Sequence, residues 1–192
     1  MRLFVALEIP VAVRENLAAV CQNFPQRESQ MRWVRAENFH VTLKFIGEAP
    51  SEKVEIISAA LRDVRADIPV EVCFRGLAWY WNAKGLGMLF GTIDPSASLS
   101  TLARDIDGRL EPLGIPPENR AFTPHLTLAR CKQGTLPRGL PNDIRAATEA
   151  SKEHDFGSMH AEEFHLIESQ LGPGGSKYST VASFRFVQSA NA

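Results

Sequence analysis

Two short stretches of the chain are built alike around groups that can move a proton. Residues 39–48 read FHVTLKFIGE and residues 124–131 read PHLTLARC, so His40-Val41-Thr42-Leu43 returns as His125-Leu126-Thr127-Leu128. A chain of this composition is expected to contain a His-x-Thr tripeptide about 0.2 times by chance, so two copies in the same apolar frame are not an accident. On a β-strand, residues i and i+2 share a face. His40 therefore stands beside Thr42 and His125 beside Thr127, while Val41, Leu43, Leu126 and Leu128 point into a core. An imidazole titrates near pH ~6.5, so two at one site hold one neutral base and one protonated acid at neutral pH, which suits phosphoryl transfer without a metal. Each Thr hydroxyl can hydrogen-bond a phosphate oxygen next to its His. One copy alone would read as a structural histidine on a half-buried strand, with a Thr that simply favours β structure.

The elements that must position these strands follow from periodicity. Residues 2–8 read as a strand, and Pro10 opens a helix with Val13, Leu17, Val20 and Phe24 at helical spacing. Residues 25–38, with Pro25, Arg27, Arg32, Arg35 and Trp33, read as a loop or irregular edge. Gly47 and Pro50 end the first His strand; Ser51 caps a helix with Val54, Ile57, Leu61 and Val64 on one face, and 70–79 alternate as a strand. The order then repeats: strand 86–93, a helix with Leu99, Leu102, Ala103, Ile106 and Leu110 inward, a polar and Pro-rich loop 112–124, the second His strand, a helix over 139–153, and a strand within 156–170.

A shift of 85 residues, the spacing of His40 and His125, lays each element of the first half on its counterpart in the second. The period is too long for a solenoid. It predicts an α+β fold of two pseudo-symmetric lobes, each a mainly antiparallel sheet with flanking helices, around a central cleft where the two histidines meet. The lobes are expected at approximately 1–80, joined by a C-terminal return, and 84–170, within a single domain over 1–192. Residues 169–178, SQLGPGGSKY, lack the Walker spacing and read as a flexible turn between strands 163–170 and 178–187, where Gly172, Gly174 and Gly175 leave the backbone free to move near a ligand.

Composition narrows the partners. A net charge of −1 over 192 residues excludes a globally basic nucleic-acid coat, so a polyanion must be gripped locally. The apolar run at the N-terminus is broken by Glu8 and Pro10, which argues against a signal or membrane segment and for the cytoplasm. Cys21, Cys73 and Cys131 have neither disulfide-framework nor zinc spacing and read as buried reduced thiols. His154, His160 and His165 are spaced by six and five, which fits no compact metal site, and read as exposed or incidental. Trp79, Tyr80 and Trp81 could stack on a base, but read better as a strand-end cluster that packs the lobes.

The doubled His-x-Thr-x motif, the opening RLFVALEIP and the tail pattern Ser169-x-Leu171…Gly175-x-x-Tyr178 resemble the 2H phosphoesterase superfamily over essentially the whole chain. Within it the likeness is to the RNA 2′,3′-cyclic phosphodiesterases, historically called 2′-5′ RNA ligases. The resemblance implies two α+β lobes, no metal and no nucleotide cofactor, and the opening of a terminal 2′,3′-cyclic phosphate to a 2′-phosphate. It implies His40 as acid, His125 as base, and Thr42 and Thr127 as phosphate-holding residues. Arg130 matches an arginine that often follows the second motif, although strict alternation from His125 would turn it to the other face unless the strand bulges after Leu128. Tyr178 matches a segment near the cleft, and Arg2 and Phe4 lie on a first strand that borders it. The implied partners are RNA ends or small 2′,3′-cyclic nucleotides, taken by a monomer without a membrane.

Three rivals stand beside metal-free hydrolysis. The same geometry run backwards is a 2′-5′ ligase. A non-catalytic module that binds RNA ends would favour permanent Arg or Lys charges over two groups titrating near neutrality. A metal-dependent hydrolase would be sensitive to chelator.

Overall fold

In the computed structural model, which describes residues 1–25, 30–66, 69–81, 87–132, 140–172 and 175–188, the two His strands belong to different sheets. The chain starts with β1 (Arg2–Glu8), apolar throughout its interior and buried on both faces. Pro10 starts α1 (Val11–Gln22), which buries Val13, Leu17 and Cys21; Cys21 rather than Val20 completes the inward stripe. Part of the stretch expected to be irregular is a short edge strand, β2 (Met31–Trp33), and one turn of 3-10 helix (Ala36–Asn38) leads into β3 (His40–Glu48). Then follow α2 (Val54–Arg62), the two-residue β4 (Arg65–Ala66) and β5 (Val70–Trp81).

The second half opens with β6 (Gly87–Ile93) and α3 (Ala97–Leu110). Ser96 Oγ accepts the Leu99 amide at 3.2 Å as the N-cap of α3, and all five residues of its expected inner face are buried. The chain continues through β7 (His125–Cys131), α4 (Asn142–Ala150), β8 (Asp155–Ala161), β9 (Glu163–Gly172), β10 (Gly175–Arg185) and β11 (Val187–Gln188). The single strand expected within 156–170 is two strands, because the chain changes sheets at Glu162. Of the positions singled out in the sequence, Arg27, Leu86, Gly139 and Gly174 lie outside the described residues.

One sheet runs β10-β9-β1-β3 and the other β2-β7-β6-β5-β8, with every neighbouring pair antiparallel; β4 and β11 form a separate parallel pair. These sheets cross the boundaries drawn at 80 and 84. Strand β5 of the first half joins the second sheet, and β9, from within 84–170, pairs with β1 in the first. The helices are exchanged in the same sense. Helix α1, which follows a strand of the first sheet, packs on β8 and lays Leu17 against Gly91 of the second. Helix α3, which follows a strand of the second sheet, packs on β3 of the first as well as on β5 of the second. One contiguous buried cluster holds Leu3 and Leu7 of the first sheet, Leu17 of α1, and Leu89, Leu126 and Phe156 of the second. Sequence periodicity reports which face of an element is buried, not which neighbour covers it, so the exchange had no local signal.

Candidate active site

Strands β3 and β7 are edge and near-edge members of their sheets, and they approach one another across the cleft. Each starts at its histidine, and each imidazole is held in the same way. His40 Nδ1 lies 2.7 Å from the Asn38 carbonyl and His125 Nδ1 lies 2.9 Å from the Thr123 carbonyl. A carbonyl oxygen only accepts, so Nδ1 is the donor in both rings and Nε2 is left to take or give a proton. Asn38 and Thr123 are themselves 85 residues apart, so the repeat includes the residue that fixes the tautomer.

Both strands then bulge at the same step. On β3 the register with β1 passes from Thr42 to Lys44, leaving Leu43 unpaired; on β7 the register with β6 passes from Thr127 to Ala129, leaving Leu128 unpaired. Two consecutive residues are buried at each bulge, Leu43 with Lys44 and Leu128 with Ala129. The alternation is reset, and the next residue, Phe45 or Arg130, comes out on the face of its histidine. Arg130 thereby reaches the site: Nη2 is 3.5 Å from Thr127 Oγ1 and Nη1 is 3.4 Å from Met88 Sδ, while Thr127 Oγ1 sits 3.3 Å from the same sulfur. Neither guanidinium contact is to a carboxylate, so its charge is left for an anion.

The two histidines have different surroundings. His40 lies against Phe4, with ring centroids 4.9 Å apart, and meets Tyr178 edge-on at 5.2 Å; Phe4 also touches Tyr178 and Phe45 at 5.2 and 6.2 Å. His125 has one aromatic neighbour among the described residues, Phe90, at 5.6 Å. Burial lowers the proton affinity of His40; the hydrogen bond to Asn38 opposes this, and the charges of Arg130 and His125 lower it further. Those charge effects across the cleft mark the two motifs as one electrostatic unit. Asn38 also donates from Nδ2 to the Ser176 carbonyl at 3.0 Å, which ties the start of β10, with Tyr178, to the His40 strand.

The sequence profile of the family described as "LigT like Phosphoesterase" matches residues 7–85 and 93–178, one His-x-Thr motif in each segment. The chain belongs to the LigT-like phosphoesterase family. It is 28% identical over 186 residues to the RNA 2′,3′-cyclic phosphodiesterase of Methanothermobacter thermautotrophicus, covering 96% of this chain and 98% of that protein. It is 29% identical to the RNA 2′,3′-cyclic phosphodiesterase of Methanocaldococcus jannaschii, covering 94% and 98%. A crystal structure of a Thermus thermophilus protein superposes with a TM-score of 0.76 at 27% identity, covering 97% of this chain and 98% of that one.

In this LigT-like phosphoesterase the cleft gathers His40, Thr42, His125, Thr127, Arg130 and Tyr178. Thr42 pairs with Ala6 in the ladder and shares the face of His40. Phe4 is part of the wall, and the charge of Arg2 acts on Arg130. Other singled-out residues lie elsewhere. Trp79 stacks on Trp81 and donates from Nε1 to Thr148 Oγ1 at 2.8 Å, so this pair packs β5 against α4 rather than lobe against lobe. Tyr80 is exposed beside the partner position Met88. His154 and His160 are at the surface, but His165 is buried and bonded through Nδ1 to Ser183 Oγ at 2.9 Å, a structural histidine and not an exposed one. Cys21 and Cys131 are buried and Cys73 is half-buried, all three as reduced thiols, and burial pushes the Cys21 thiol up to about 12. Among the described residues no three His, Cys, Asp or Glu side chains are grouped to hold a metal, and no helix is long and apolar enough to cross a membrane.

Sequence reasoning missed Phe45 and Asn38. Phe45 was within reach, because it stands 85 residues before Arg130. Asn38 was legible only as the residue two before a histidine, and its second bond, to Ser176, is a long-range contact with no sequence signal.

Proposed function

We propose that this LigT-like phosphoesterase opens the 2′,3′-cyclic phosphate at an RNA end to a 2′-phosphate, by acid and base catalysis from its two histidines without a metal. The observation that carries this reading is the matched pair of imidazoles, each with Nδ1 fixed on a carbonyl and, among the described residues, with Nε2 free and no carboxylate in contact with the neighbouring Arg130. The names of the relatives point to the same substrate group.

Arg130 and Thr127 flank His125, so they hold the non-bridging phosphate oxygens on its side of the cleft. His125 Nε2 takes a proton from the attacking water as the new P–O bond forms in line with the bond to O3′. That bond breaks, and His40 Nε2 gives its proton to the departing O3′. Arg130 and the two Thr hydroxyls meet the negative charge that builds on phosphorus-bound oxygen. His40, walled by Phe4 and Tyr178, faces the ribose, and the 60% exposed ring of Phe45 on that wall offers a stacking surface to the terminal base. In the free protein burial and Arg130 hold His40 toward neutrality. A bound phosphate offsets the charge of Arg130 and returns the proton to His40, so the acid is charged when the substrate is in place.

The test is to incubate the purified chain with EDTA and an oligoribonucleotide ending in 2′,3′-cyclic phosphate, then map the product. A 2′-phosphate formed at an undiminished rate is the expected result. A 3′-phosphate product would reverse the roles of the two ribose oxygens, and loss of activity with chelator would replace the two-histidine mechanism by a metal-dependent one.

A further inference from the structure

Arg130 is not alone on its face. It pairs with Arg32 in the β2–β7 ladder, and the neighbours of Arg32, Met31 and Trp33, turn with Ala129 and Cys131 to the other face, where Met31, Ala129 and Cys131 are buried. Residues directly opposite in an antiparallel pair have Cβ atoms about 5 Å apart, and like charges there are destabilising. Arg2, reaching from β1 of the other sheet, adds a third positive charge that acts on Arg130. Arg32 is exposed and has no hydrogen-bond or ion-pair partner among the described residues. Arg2 stands opposite Glu48 in the ladder, but that carboxylate, 79% exposed, lies 3.9 Å from the N-terminal amine. Arg130 is therefore flanked by Arg32, beside it in the ladder, and by the charge of Arg2, and none of the three has a carboxylate in contact among the described residues. At the opposite end of β1, Glu8 pairs with His40.

One terminal phosphate uses Arg130. The charge of Arg2 already opposes that of Arg130 in the free protein, and the exposed, unpaired guanidinium of Arg32 is left to serve a ligand with a second phosphate. The acidic end of β1 repels such a ligand, so its chain leaves the site over β2. We propose that Arg32, assisted by Arg2, forms a second phosphate subsite that takes the internal phosphodiester next to the terminal nucleotide, making an oligoribonucleotide end, and not a free cyclic mononucleotide, the preferred substrate. This rests on the reading of the cleft given above.

The experiment measures kcat and KM for adenosine 2′,3′-cyclic monophosphate and for a short oligoribonucleotide with the same terminal nucleotide and cyclic phosphate, across a series of salt concentrations. The protein is compared with Arg32→Lys, Arg32→Ala and Arg32→Glu. Arg32→Ala is expected to raise KM for the oligonucleotide roughly tenfold, the size of one charge-assisted contact, with kcat little changed; Arg32→Glu raises it further and Arg32→Lys retains most of the affinity. Kinetics on the mononucleotide stay within about twofold in all three. The slope of log(kcat/KM) against log salt for the oligonucleotide falls by about 0.7 in Arg32→Ala, the value for one single-strand phosphate contact. An unchanged oligonucleotide KM, or an equal loss on both substrates, overturns the subsite and leaves the catalytic reading intact. Turnover of neither substrate by the unaltered protein overturns both.

Discussion

Phe45 and Arg130 occupy one position of the repeat: each follows its histidine by five residues, and each is brought to the cleft by a bulge at the residue two before it. The same backbone device thus presents an apolar ring from one sheet and a cation from the other. Arg130→Ala should lower kcat/KM by about 10²–10³-fold, the range for losing one preorganised charge-stabilising donor, and Arg130→Lys should recover little because a point charge does not reproduce a fork of donors. Phe45→Ala should act mainly on KM, by roughly five- to a hundredfold if a base stacks there, and should not affect a ribose 2′,3′-cyclic phosphate that has no base. An equal effect on the baseless substrate would assign Phe45 to wall packing.

His40→Ala and His125→Ala should each cost about 10²–10⁴-fold in kcat while leaving the circular dichroism spectrum intact, and the double variant should lose less than the product of the two. A substrate whose 3′ leaving group departs without a proton separates the roles. It should rescue His40→Ala and leave His125→Ala impaired. The reverse pattern exchanges acid and base, and rescue of neither removes the acid step.

The pH profile has a definite sign. As the proposed acid, His40 must carry its proton, and in the free protein burial and the charges of Arg130 and His125 weaken its hold. The alkaline limb of kcat/KM, which reports the free protein, is therefore set low. Bound phosphate opposes those charges, so the alkaline limb of kcat should lie at higher pH than that of kcat/KM, both limbs belonging to the coupled pair. Coincident limbs in a full pH series would contradict the proposed return of the proton on binding.

Asn38 offers a test of positioning. Its backbone carbonyl, which holds His40, survives substitution, whereas its carboxamide bond to Ser176 does not. Asn38→Ala should lower activity several-fold and speed amide exchange in β10 around Ser176 and Tyr178, the loss being about one net hydrogen bond of ~1 kcal/mol. Unchanged exchange there with reduced activity would place the effect elsewhere than in the tether.

The bulge on β3 also turns Lys44 inward, where its amine pairs with Asp107 of α3 and donates to the Pro116 carbonyl at 2.7 Å. The lysine side chain is 6% exposed and that of Asp107 is 21% exposed. Asp107→Ala leaves a buried amine without its counter-ion and should destabilise by about 3 kcal/mol in urea unfolding, the lower end of the range for breaking a buried pair. Lys44→Met leaves a carboxylate that water still reaches and should cost less. The opposite order would show that the stem of Lys44, rather than its charge, holds α3 in place.

The sequence revealed the two motifs, the helix faces and the α+β layout, because each rests on a period of a few residues. What it left open has a common physical origin. Whether Arg130 faces the cleft depended on a bulge, and a bulge is a mismatch between two strands that neither strand encodes alone. Lys44 beside Leu43, both buried, is the equivalent bulge of β3 seen from the core. Strand β2 is three residues long, too short for alternation to register. His165 read as incidental because its partner, Ser183, is supplied by β10.

The exchange of strands and helices between the sheets has a mechanical consequence. A cleft between two self-contained lobes widens by bending a linker, at little cost. Here each half of the chain supplies β-strands and a covering helix to the sheet that bears the other half's histidine, and one interior runs beneath both. The gap between the two imidazoles therefore inherits the stiffness of that interior. Opening and closing fall to the rim, where β10 is held at Asn38 by one hydrogen bond, and the spacing of the two imidazoles stays constant.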